Sequence, residues 1–542
     1  MKICKNYING EWVESVSGKT APTYNPANGE ILAEVVQSGL EDVERAVAAA
    51  KTSFYETRDW RDMDSQTRGD ILLKIADLID KNRDELARIE SMDMGKPLRE
   101  AEGDVDDALH CYRYYAGLIK APYGGVYDVN EGFGKMHSFT IHEPVGVVAL
   151  ISAWNFPFVM GSWKIAPALA AGNSIIFKPA SNAVMSNVKM FEILEEAGVP
   201  KGAANLILGP GGSVGEALAS HKDIGMVTLT GSTAVGQSIM RCAANNVKKI
   251  GLELGGKSPN IIFADVDLEA AVEWAMIGIF FNQGEVCCAG SRIIIEESIH
   301  DAFVKRFAER ANAMTIGNPL DNPDMGPVVS ESQLRDVLSY VQKGLEEGAT
   351  LVCGGERFTE GECAKGYFMR PTIFDHCTPD MTIVREEIFG PVVTIQTFKT
   401  EEEAIAMAND TDYGLAGGVF THQLERAIRV VKEVRAGITW VNAFNPTFNE
   451  APWGGYKMSG IGRELGVHGL EEYQEIKQVN INLTPGAPGW YEHYASALLI
   501  LKNVKVPGRK TFPAGDSFIY GTYYLELGRG RHAAHHPAVG HI

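Results

Sequence analysis

The feature that most constrains this chain is the alternation of short apolar runs with helix-like stretches between residues 146 and 240. The runs GVVALISAW (146–154), NSIIFKPA, ANLILG and MVTLT predict buried strands, and helices such as 163–171 are predicted between them. Strands that alternate with helices form a parallel sheet through right-handed crossovers. Ligands bind at the carboxyl ends of such strands, so the turns that follow them are candidate binding loops.

Glycines cluster in two of those turns. Gly209, Gly211 and Gly215 follow one predicted strand, and Gly231 with Ser232 follows the next. Glycine lets backbone N–H groups approach a phosphate at a helix N-terminus. The spacing is not GxGxxG with an acidic partner, and glycines also end strands for structural reasons, so the pattern alone leaves both interpretations open.

A second α/β region is predicted after Gly255. Its apolar runs LVCGG, YFMRPTIF, PVVTIQTF and ITWVNAF indicate another open sheet, and an irregular stretch over 439–466 is suited to lining a substrate mouth. A chain of 542 residues also exceeds one hydrophobic core, which stops growing near roughly 250–300 residues. Before these regions, we predict a hairpin at Asn9-Gly10, helices over 40–55 and 67–92, and an edge strand over 138–142; KQVNINL predicts a second edge strand.

Three side chains form a candidate catalytic set. Cys287, adjacent to Cys288, follows an apolar helix-like run (268–281) and has small neighbours, so a substrate can approach it; free cysteines are also common as small core residues. Glu253 lies between apolar residues and two glycines, where desolvation raises a carboxyl pKa and favours a general base, or where it forms a buried ion pair. Asn155 offers an amide donor to a developing oxyanion.

Charge and composition exclude several classes. The net charge of −19 argues against general nucleic-acid binding, and no apolar run of about 20 residues predicts a membrane span. The start MKICKNYINGEWV lacks the apolar segment of a signal peptide. Eight cysteines in so long a chain do not indicate a disulfide framework, so we expect a reducing cytoplasm. No metal site is predicted in the body of the chain.

Five motifs identify a family resemblance. WNFP, ELGGK, FNQGEVCCAGSR, EEIFGPV and PWGGYKMSGIGRELG occur in the order and near the spacing of the aldehyde dehydrogenase superfamily, over about residues 7–483. The resemblance implies a Rossmann-like cofactor domain, an α/β catalytic domain, a small β oligomerisation element and a C-terminal extension. The cofactor domain would comprise residues 1–122 and 145–254, and the catalytic domain residues 255–470. The oligomerisation element would comprise residues 123–144 and 471–484, and the C-terminal extension residues 485–542.

The resemblance also implies a mechanism. The Cys287 thiolate attacks the aldehyde, Asn155 holds the oxyanion, and hydride leaves to the nicotinamide to give a thioester that Glu253-activated water hydrolyses. Lys164 and Glu464 match positions that pass the proton onward. A coenzyme-A-dependent acylating member is less favoured because Glu253 is present, and a catalytically silent homologue is disfavoured by the intact catalytic set.

Cofactor contacts follow from the same resemblance. Lys178 is expected at the adenosine ribose or its phosphate and Glu387 at the nicotinamide ribose, although Glu387 is also suited to capping a helix and Phe389 to a plain core. Members that prefer NAD carry a glutamate where this chain has Ser181, which leaves the choice between NAD and NADP open. The full predicted set is Trp154, Lys178, Ser181, Gly211, Gly215, Gly231, Ser232, Glu387 and Phe389.

The substrate mouth is expected to be aromatic. Phe156, Trp163 and Trp453 are the predicted lining, with Phe444 and Phe448 nearby. The last motif resembles betaine-aldehyde-oxidising members, whose aromatic boxes hold a quaternary ammonium by cation–π attraction. An apolar tunnel for aliphatic or aromatic aldehydes is the alternative.

The C-terminal segment differs from the rest of the chain. Residues 485–542 carry six Lys/Arg and three Asp/Glu, a net of +3 that leaves about −22 for the remainder. We predict a homodimer or homotetramer in which residues 491–527 form an arm on a neighbouring subunit. The histidines at 532, 535, 536 and 541 are a possible metal-binding cluster; a flexible terminus or a cloning or frameshift artefact is the alternative.

Overall fold

The computed structural model describes residues 2–121, 124–129 and 135–486, so the predicted arm over 491–527 and the histidine cluster beyond it lie outside the described residues. Two compact units are distinguished by their internal contacts: 1–126 with 139–479, and 127–138 with 480–542. In the described part of the chain, no helix is both long enough and apolar enough to cross a membrane.

The strands are short, as expected for an α/β protein. In chain order they are β1 Ile3–Cys4, β2 Asn6–Ile8, β3 Glu11–Val13, β4 Thr20–Tyr24, β5 Ile31–Val36, β6 Val126–Tyr127, β7 Met136–Pro144, β8 Val147–Ile151, β9 Ser174–Lys178, β10 Ala204–Leu206, β11 Met226–Thr230, β12 Lys249–Glu253, β13 Pro259–Ile262, β14 Arg292–Glu296, β15 Thr350–Cys353, β16 Thr372–Asp375, β17 Val392–Phe398, β18 Tyr413–Gly414, β19 Ala416–Phe420, β20 Ile438–Val441, β21 Tyr456–Lys457, β22 Gly460–Ile461 and β23 Gln474–Asn482.

Helices connect most of these strands. They are α1 Leu40–Lys51, α2 Ser65–Lys81, α3 Arg83–Met94, α4 Leu98–Leu118, α5 Pro157–Ala170, α6 Met185–Ala197, α7 Glu216–Ser220, α8 Thr233–Ala243, α9 Leu268–Phe280, α10 His300–Asn312, α11 Glu331–Glu346, α12 Thr382–Arg385, α13 Glu401–Asn409, α14 Leu424–Glu433 and α15 Gly466–Glu472.

Two large sheets confirm the predicted α/β class. The first has the order β22-β12-β11-β8-β9-β10-β2-β3, with a parallel centre from β12 to β10 and antiparallel strands at both sides. The second has the order β15-β16-β17-β14-β13-β19-β20 and is parallel except at β15. Strands β8, β9 and β11 are buried at every residue, because helices cover both faces of a parallel sheet.

Three local predictions need correction. The helix expected over 67–92 is two helices, because the Asn82 side chain donates to the Leu78 carbonyl and interrupts the backbone pattern. The helix expected at 163–171 begins six residues earlier, at Pro157, which suits a first helical position because proline needs no N–H partner there. Strand β7, expected at an edge, is central in a sheet of order β23-β7-β6, whereas β23 lies at the edge as predicted.

Candidate active site

Cys287 follows a strained turn at the end of α9. The turn spans Phe281–Gly284, and Asn282 and Gln283 adopt positive φ angles of 50° and 55°, a left-handed region that non-glycine residues seldom adopt. Beyond it, Cys287 is half-buried and lines a cavity, whereas Cys288 is buried with its Sγ 3.5 Å from Asn445 Oδ1. A hydrogen bond with Cys288, together with burial, raises the pKa of the Cys287 thiol well above its ordinary value. The thiol therefore needs a base to become a nucleophile.

The glycine pair after Glu253 explains how that backbone approaches the cysteine. A Cβ added to Gly256 would lie 2.4 Å from the Cys287 carbonyl oxygen, and one added to Gly255 would lie 2.0 Å from Glu387 Oε2. The Gly256 N–H donates to Glu387 Oε1 at 3.1 Å. Glycine is required here because any side chain would push the cysteine loop and Glu387 away.

Asn155 lies after β8 and is held by the cysteine turn. Its Nδ2 donates to the Glu285 carbonyl at 2.9 Å, and its own backbone carbonyl accepts from Asn282 Nδ2 at 2.9 Å. The amide nitrogen carries a second hydrogen that this bond does not use. The structure therefore brings Asn155 against the turn that precedes Cys287.

Lys164, Glu253 and Glu464, here called the Glu253 cluster, are all buried. Lys164 pairs with Glu464 and donates to Thr228 Oγ1 at 3.2 Å. Burial, and then the nearby Glu464 carboxylate, raise the pKa of Glu253 well above its ordinary value, and Lys164 only partly opposes them. Oε2 of Glu253 and Oε2 of Glu464 have no hydrogen-bond partner in the described part of the chain. Such oxygens are free to accept from a water molecule.

The cavity beside Cys287 has a volume of about 1000 Å³ and is lined by both aromatic and charged side chains. Trp163 and Trp453 both line it and pack against each other, with ring centroids 5.6 Å apart and planes at 59°. Phe156 and Phe444 also line it, as expected. Phe448, which was expected nearby, does not line the cavity and is 60% exposed, because the chain turns away from the cavity after Thr447.

Carboxylates on α4 form the cavity wall that the sequence analysis missed. Glu100, Asp104 and Asp107 line the cavity together with Gly103. Asp107 accepts from Trp163 Nε1 at 3.1 Å and from Asn449 Nδ2 at 2.7 Å, so it orients one wall of the aromatic box. The sequence contains one indication of this wall: Glu100, Asp104 and Asp107 are spaced by four and three residues, which places them on one face of a helix. A run of acidic residues on a helix is normally interpreted as a solvated face, and that is why the signal was missed.

A second buried lysine lies behind this wall. Glu90, Lys96, Glu100, Asp104 and Glu285 form what we call the Lys96 cluster, in which Lys96 pairs with Asp104 and stands 3.9 Å from the Phe156 ring centroid. Burial raises the pKa of Glu90 to about 7, of Glu100 to about 8 and of Asp104 to about 6. The Glu100 carboxyl is therefore largely protonated at neutral pH.

The carboxyl edge of the first sheet carries the predicted cofactor residues. Lys178 ends β9, is buried, and donates to the Pro179 carbonyl at 3.0 Å; burial lowers the pKa of Lys178 to about 8. Ser181 donates to the Gly209 carbonyl at 2.9 Å, which ties it to the next glycine turn. Gly211 and Gly215 bound a π-helical turn, and Gly231 leads into Ser232, which caps α8 through the Val235 N–H.

Glu387 lies at the Gly255-Gly256 backbone that approaches Cys287. Burial raises the pKa of Glu387 to about 7. The Trp154 and Phe389 rings meet edge to face, with centroids 5.2 Å apart, and Trp154 also packs against Met94, Ala183 and Val329. Phe389 has a φ of 57°, an uncommon conformation for an aromatic residue.

The free polar groups at this edge fit a dinucleotide. Ser152 Oγ after β8 and Thr230 Oγ1 at the end of β11 are buried and have no hydrogen-bond partner among the described residues. An added Cβ at Gly211 or Gly212 would meet no atom within 4 Å, so these backbone groups are open to a ligand. Hydroxyl donors, an ammonium and open backbone amides are the chemistry that ribose and pyrophosphate require. Fold and site together define the class: an α/β enzyme with a cysteine beside a dinucleotide-binding sheet.

Comparison with known proteins agrees with this class. Residues 12–479 match the model of the aldehyde dehydrogenase family. The chain is 47% identical over 486 residues to betaine aldehyde dehydrogenase of Bacillus subtilis, covering 90% of this chain and 99% of that protein. It is 45% identical over 486 residues to human retinal dehydrogenase 2, covering 89% and 92%. The crystal structure of Staphylococcus aureus betaine aldehyde dehydrogenase with NAD+ superposes with a TM-score of 0.88 at 45% identity, covering 90% of this chain and 96% of that one.

The chain belongs to the aldehyde dehydrogenase family. It is an enzyme that oxidises an aldehyde with NAD or NADP through a cysteine, and the family, fold, reaction class and cofactor class expected from the sequence are confirmed.

Proposed function

We propose that Cys287 is the nucleophile, Glu253 the general base and Asn155 an oxyanion donor. The observation that carries this proposal is a half-buried thiol on an aromatic cavity whose charge environment includes the buried Glu253 carboxyl. The Cys287 sulfur forms a bond to the aldehyde carbon, and its proton passes to a base. The second amide hydrogen of Asn155 stabilises the oxyanion. The nicotinamide ring, when bound, supplies the acceptor for the hydride that this carbon loses.

Glu253 completes the reaction by acting on water. The thioester on Cys287 is attacked by a water molecule that gives its proton to Glu253, and the acid product leaves as the thiol is regenerated. The raised pKa of Glu253 brings it closer to the operating pH than an ordinary carboxylate. Lys164 and Glu464 lie next in line and carry the proton onward through their ion pair.

Two groups of residues would hold the cofactor. Lys178 and Ser232 are placed for the adenosine ribose and the pyrophosphate, with the glycine turns at 211–215 and 231 leaving room for it. Trp154 is placed with Ser232 at the phosphates, and Glu387 and Phe389 would hold the nicotinamide half. Ser181 presents a hydroxyl instead of a carboxylate, which does not repel a 2′-phosphate, so we propose that both NAD and NADP are used.

The proposed substrate is an aldehyde that carries a cationic group. Six acidic side chains and three guanidinium groups line the cavity; the acidic set is Glu100, Asp104, Asp107, Glu273, Glu309 and Asp324 and the basic set Arg99, Arg306 and Arg310. The arginines pair with acids, as in Arg310 with Glu273, and Lys96 pairs with Asp104, so the negative charge of the α4 wall comes from Asp107 and, above about pH 8, from Glu100. Trp163 and Trp453, packed together in the cavity lining, offer ring faces that suit an ammonium by cation–π attraction. Betaine aldehyde dehydrogenases among the relatives support the same class.

A matched pair of substrates tests this proposal. Trimethylammonio-acetaldehyde and its neutral carbon isostere 3,3-dimethylbutanal have the same shape, so their kcat/KM ratio isolates the charge. We expect the cation to be preferred by roughly 2- to 30-fold, the range of about 0.5–2 kcal/mol for one cation–π site. The preference should grow above pH 8, where the Glu100 carboxyl ionises. If the two substrates have the same kcat/KM at every pH, the apolar tunnel is favoured instead.

Cofactor choice is tested by measuring each substrate with NAD and with NADP. An enzyme that does not use NADP would contradict the proposal based on Ser181.

We also propose that the protein is a homo-oligomer, that it is cytoplasmic, and that it has separate cofactor, catalytic and oligomerisation parts. Strand β23 lies at a sheet edge and carries exposed apolar side chains such as Ile476 and Ile481, which supports a homodimer or homotetramer joined there. All eight cysteines are free, which supports a reducing cytoplasm. In this division, strand β22 belongs to the catalytic part of the chain but joins the first sheet, which belongs to the cofactor part.

A further inference from the structure

A cluster of metal-ligating side chains lies apart from the active site, at the end of β16. His300 is the first residue of α10, Asp375 is the last residue of β16, and His376 follows it. Their ligand atoms all lie within 4.8 Å of one another. None of the three lines the cavity of Cys287. No local pattern predicts this cluster, because His300 precedes Asp375 by 75 residues and meets it only through the fold.

The spacing of the donor atoms suits a small divalent ion. His300 Nε2 lies 2.9 Å from Asp375 Oδ1, and His376 Nε2 lies 3.6 Å from Asp375 Oδ2. Two ligand atoms at about 2.0–2.2 Å from a tetrahedral zinc ion stand about 3.3–3.6 Å apart. The separation of 3.6 Å lies within that range and the separation of 2.9 Å is shorter, so a small movement of His300 away from Asp375 would complete a shared coordination site.

Outer contacts orient the ligands. Asp301 Oδ1 lies 2.8 Å from His300 Nδ1, which holds a proton on Nδ1, and a metal ion would replace the Nε2 proton that here lies between His300 and Asp375 Oδ1 at 2.9 Å. A histidine whose second nitrogen faces a carboxylate is the usual arrangement at metal sites. Asp375 is itself fixed by the His376 N–H, which donates to Oδ1 at 2.7 Å.

The backbone of His376 is held in an uncommon conformation. Its φ is 52°, in the left-handed region, and its ring centroid lies 5.5 Å from that of His300. A non-glycine residue in this region costs free energy that the surrounding structure must offset. This conformation, together with the His376 N–H bond to Asp375 Oδ1, places the His376 ring beside that of His300.

We propose that His300, Asp375 and His376 bind one divalent transition-metal ion of the zinc type. Two imidazoles and one carboxylate favour zinc, nickel or copper over magnesium and calcium, which prefer oxygen ligands. Because His376 is 69% exposed on its side chain, the fourth coordination position faces solvent and takes water. Binding would join the start of α10 to the end of β16, and it involves neither the catalytic thiol nor the cofactor edge.

The test measures metal binding to the full chain. Its background variant replaces the four terminal histidines, His532, His535, His536 and His541, with alanine, because they are competing ligands. The metal-free protein is titrated with Co²⁺ and then with Zn²⁺ as a competitor. Co²⁺ on nitrogen and oxygen ligands gives visible bands without the near-ultraviolet absorption of a thiolate complex, so the spectrum separates this site from Cys287.

Matched variants make the assignment specific. His376→Asn removes the imidazole and keeps a residue that tolerates positive φ, so the fold should be retained. His468→Asn is the control, since His468 is also exposed and faces a single carboxylate, Glu471, at 3.0 Å. Asp301→Asn tests the outer contact and should weaken binding by about 10- to 100-fold.

We expect one Co²⁺ per chain in the background protein and in the His468→Asn control. In His376→Asn the affinity should fall by at least about 100-fold, since losing a ligand costs more than losing an outer partner. The absence of binding, an unchanged affinity in His376→Asn, or a thiolate band on the bound Co²⁺ would each overturn the proposal.

Discussion

Two buried lysines each face a carboxylate in this enzyme, and the two sites differ in how their remaining oxygen atoms are satisfied. In the Lys96 cluster, Glu90 accepts from the Phe158 N–H, Glu100 from the Asn282 N–H and Glu285 from the Val329 N–H, at 2.9–3.1 Å. In the Glu253 cluster, one oxygen each of Glu253 and Glu464 has no partner in the described chain. Among the described carboxylates of the Lys96 cluster, only Glu90 has a buried oxygen, Oε2, without a hydrogen-bond partner.

This difference separates a structural use of buried charge from a chemical one. Carboxylates that accept backbone N–H groups connect segments: here Glu90 ties α3 to α5, Glu100 ties α4 to the cysteine turn, and Glu285 ties the cysteine loop to the backbone at Val329. Carboxylates left with an unused oxygen cost stability unless a ligand or water supplies the missing donor. We therefore expect substitutions in the Glu253 cluster and at Cys287 to change turnover, and substitutions in the Lys96 cluster to change the free energy of unfolding.

Removal of the thiol should have the largest effect. Cys287→Ala should lower turnover by at least about 10⁴-fold, because the other groups of a covalent catalyst cannot act without the nucleophile. Its thermal midpoint should stay near that of the wild type. Cys288→Ala is the matched control and should keep most of the turnover. The comparison fails if Cys287→Ala retains activity, or if only Cys288→Ala loses it.

The next effect should come from the base. Glu253→Gln should lower steady-state turnover by about 10³-fold near neutral pH, a typical contribution of a general base. Thioester formation should survive, visible in stopped flow as a burst of up to one NAD(P)H per active site. Because the pKa of Glu253 is raised, wild-type turnover should increase with pH as the carboxyl ionises, and the variant should lose that dependence. Unchanged turnover would place Glu253 with the structural carboxylates.

A smaller effect, on stability, is expected in the other cluster. Asp104→Asn leaves Lys96 buried without its ion-pair partner, which should lower the free energy of unfolding by about 3 kcal/mol. Chemical denaturation provides the measurement. Glu362→Gln, which removes the partner of exposed Lys365, is the control and should leave the midpoint unchanged. If Asp104→Asn has the same denaturation midpoint as the wild type, the Lys96 cluster does not have the structural role that we assign to it.

The smallest expected effect is a change in pH dependence. The pKa of Glu100 is raised in the folded state to about 8, so protonation stabilises the fold. That contribution is fully present below the ordinary carboxyl pKa near 4.5 and is lost as the pH rises through about 8. Between pH 5 and 8.5, Glu100→Gln should therefore show a smaller fall in thermal midpoint than the wild type, by about 2 °C. The control Glu102→Gln, on the same helix, should follow the wild type.

Site residues that lie in short local motifs could be predicted from the sequence, whereas contacts between distant segments could not. Cys287, Glu253 and Asn155 could be proposed from the sequence because each lies at or shortly after the end of a strand or helix and within a short motif. The two sheets were predictable for a similar reason, since buried parallel strands are continuous apolar runs. Trp163 and Trp453 were also found, through the motifs that surround them.

What the sequence did not reveal depends on distant contacts. The approach of Lys96 to Phe156 and the orientation of Trp163 by Asp107 join segments about 60 residues apart, and no local pattern records them. Phe448 illustrates the reverse error: its aromatic character suggested a place at the mouth, but the backbone carries it to the surface. The break at Asn82 was missed because one side-chain hydrogen bond outweighed a continuous helical pattern.

The pairing of β22 with β12 has a consequence for the synthesis of this protein. Glu253 pairs in register with Gly460, and Glu464 follows four residues later, so the site is completed by residues about 210 positions after the base. At 5–20 residues per second, the ribosome needs roughly 10–40 s to supply them. During that interval the β12 edge is open, and open strand edges pair with other chains. We therefore expect a chain that stops before Gly460 to lack part of the Glu253 cluster and to leave the β12 edge open to such pairing.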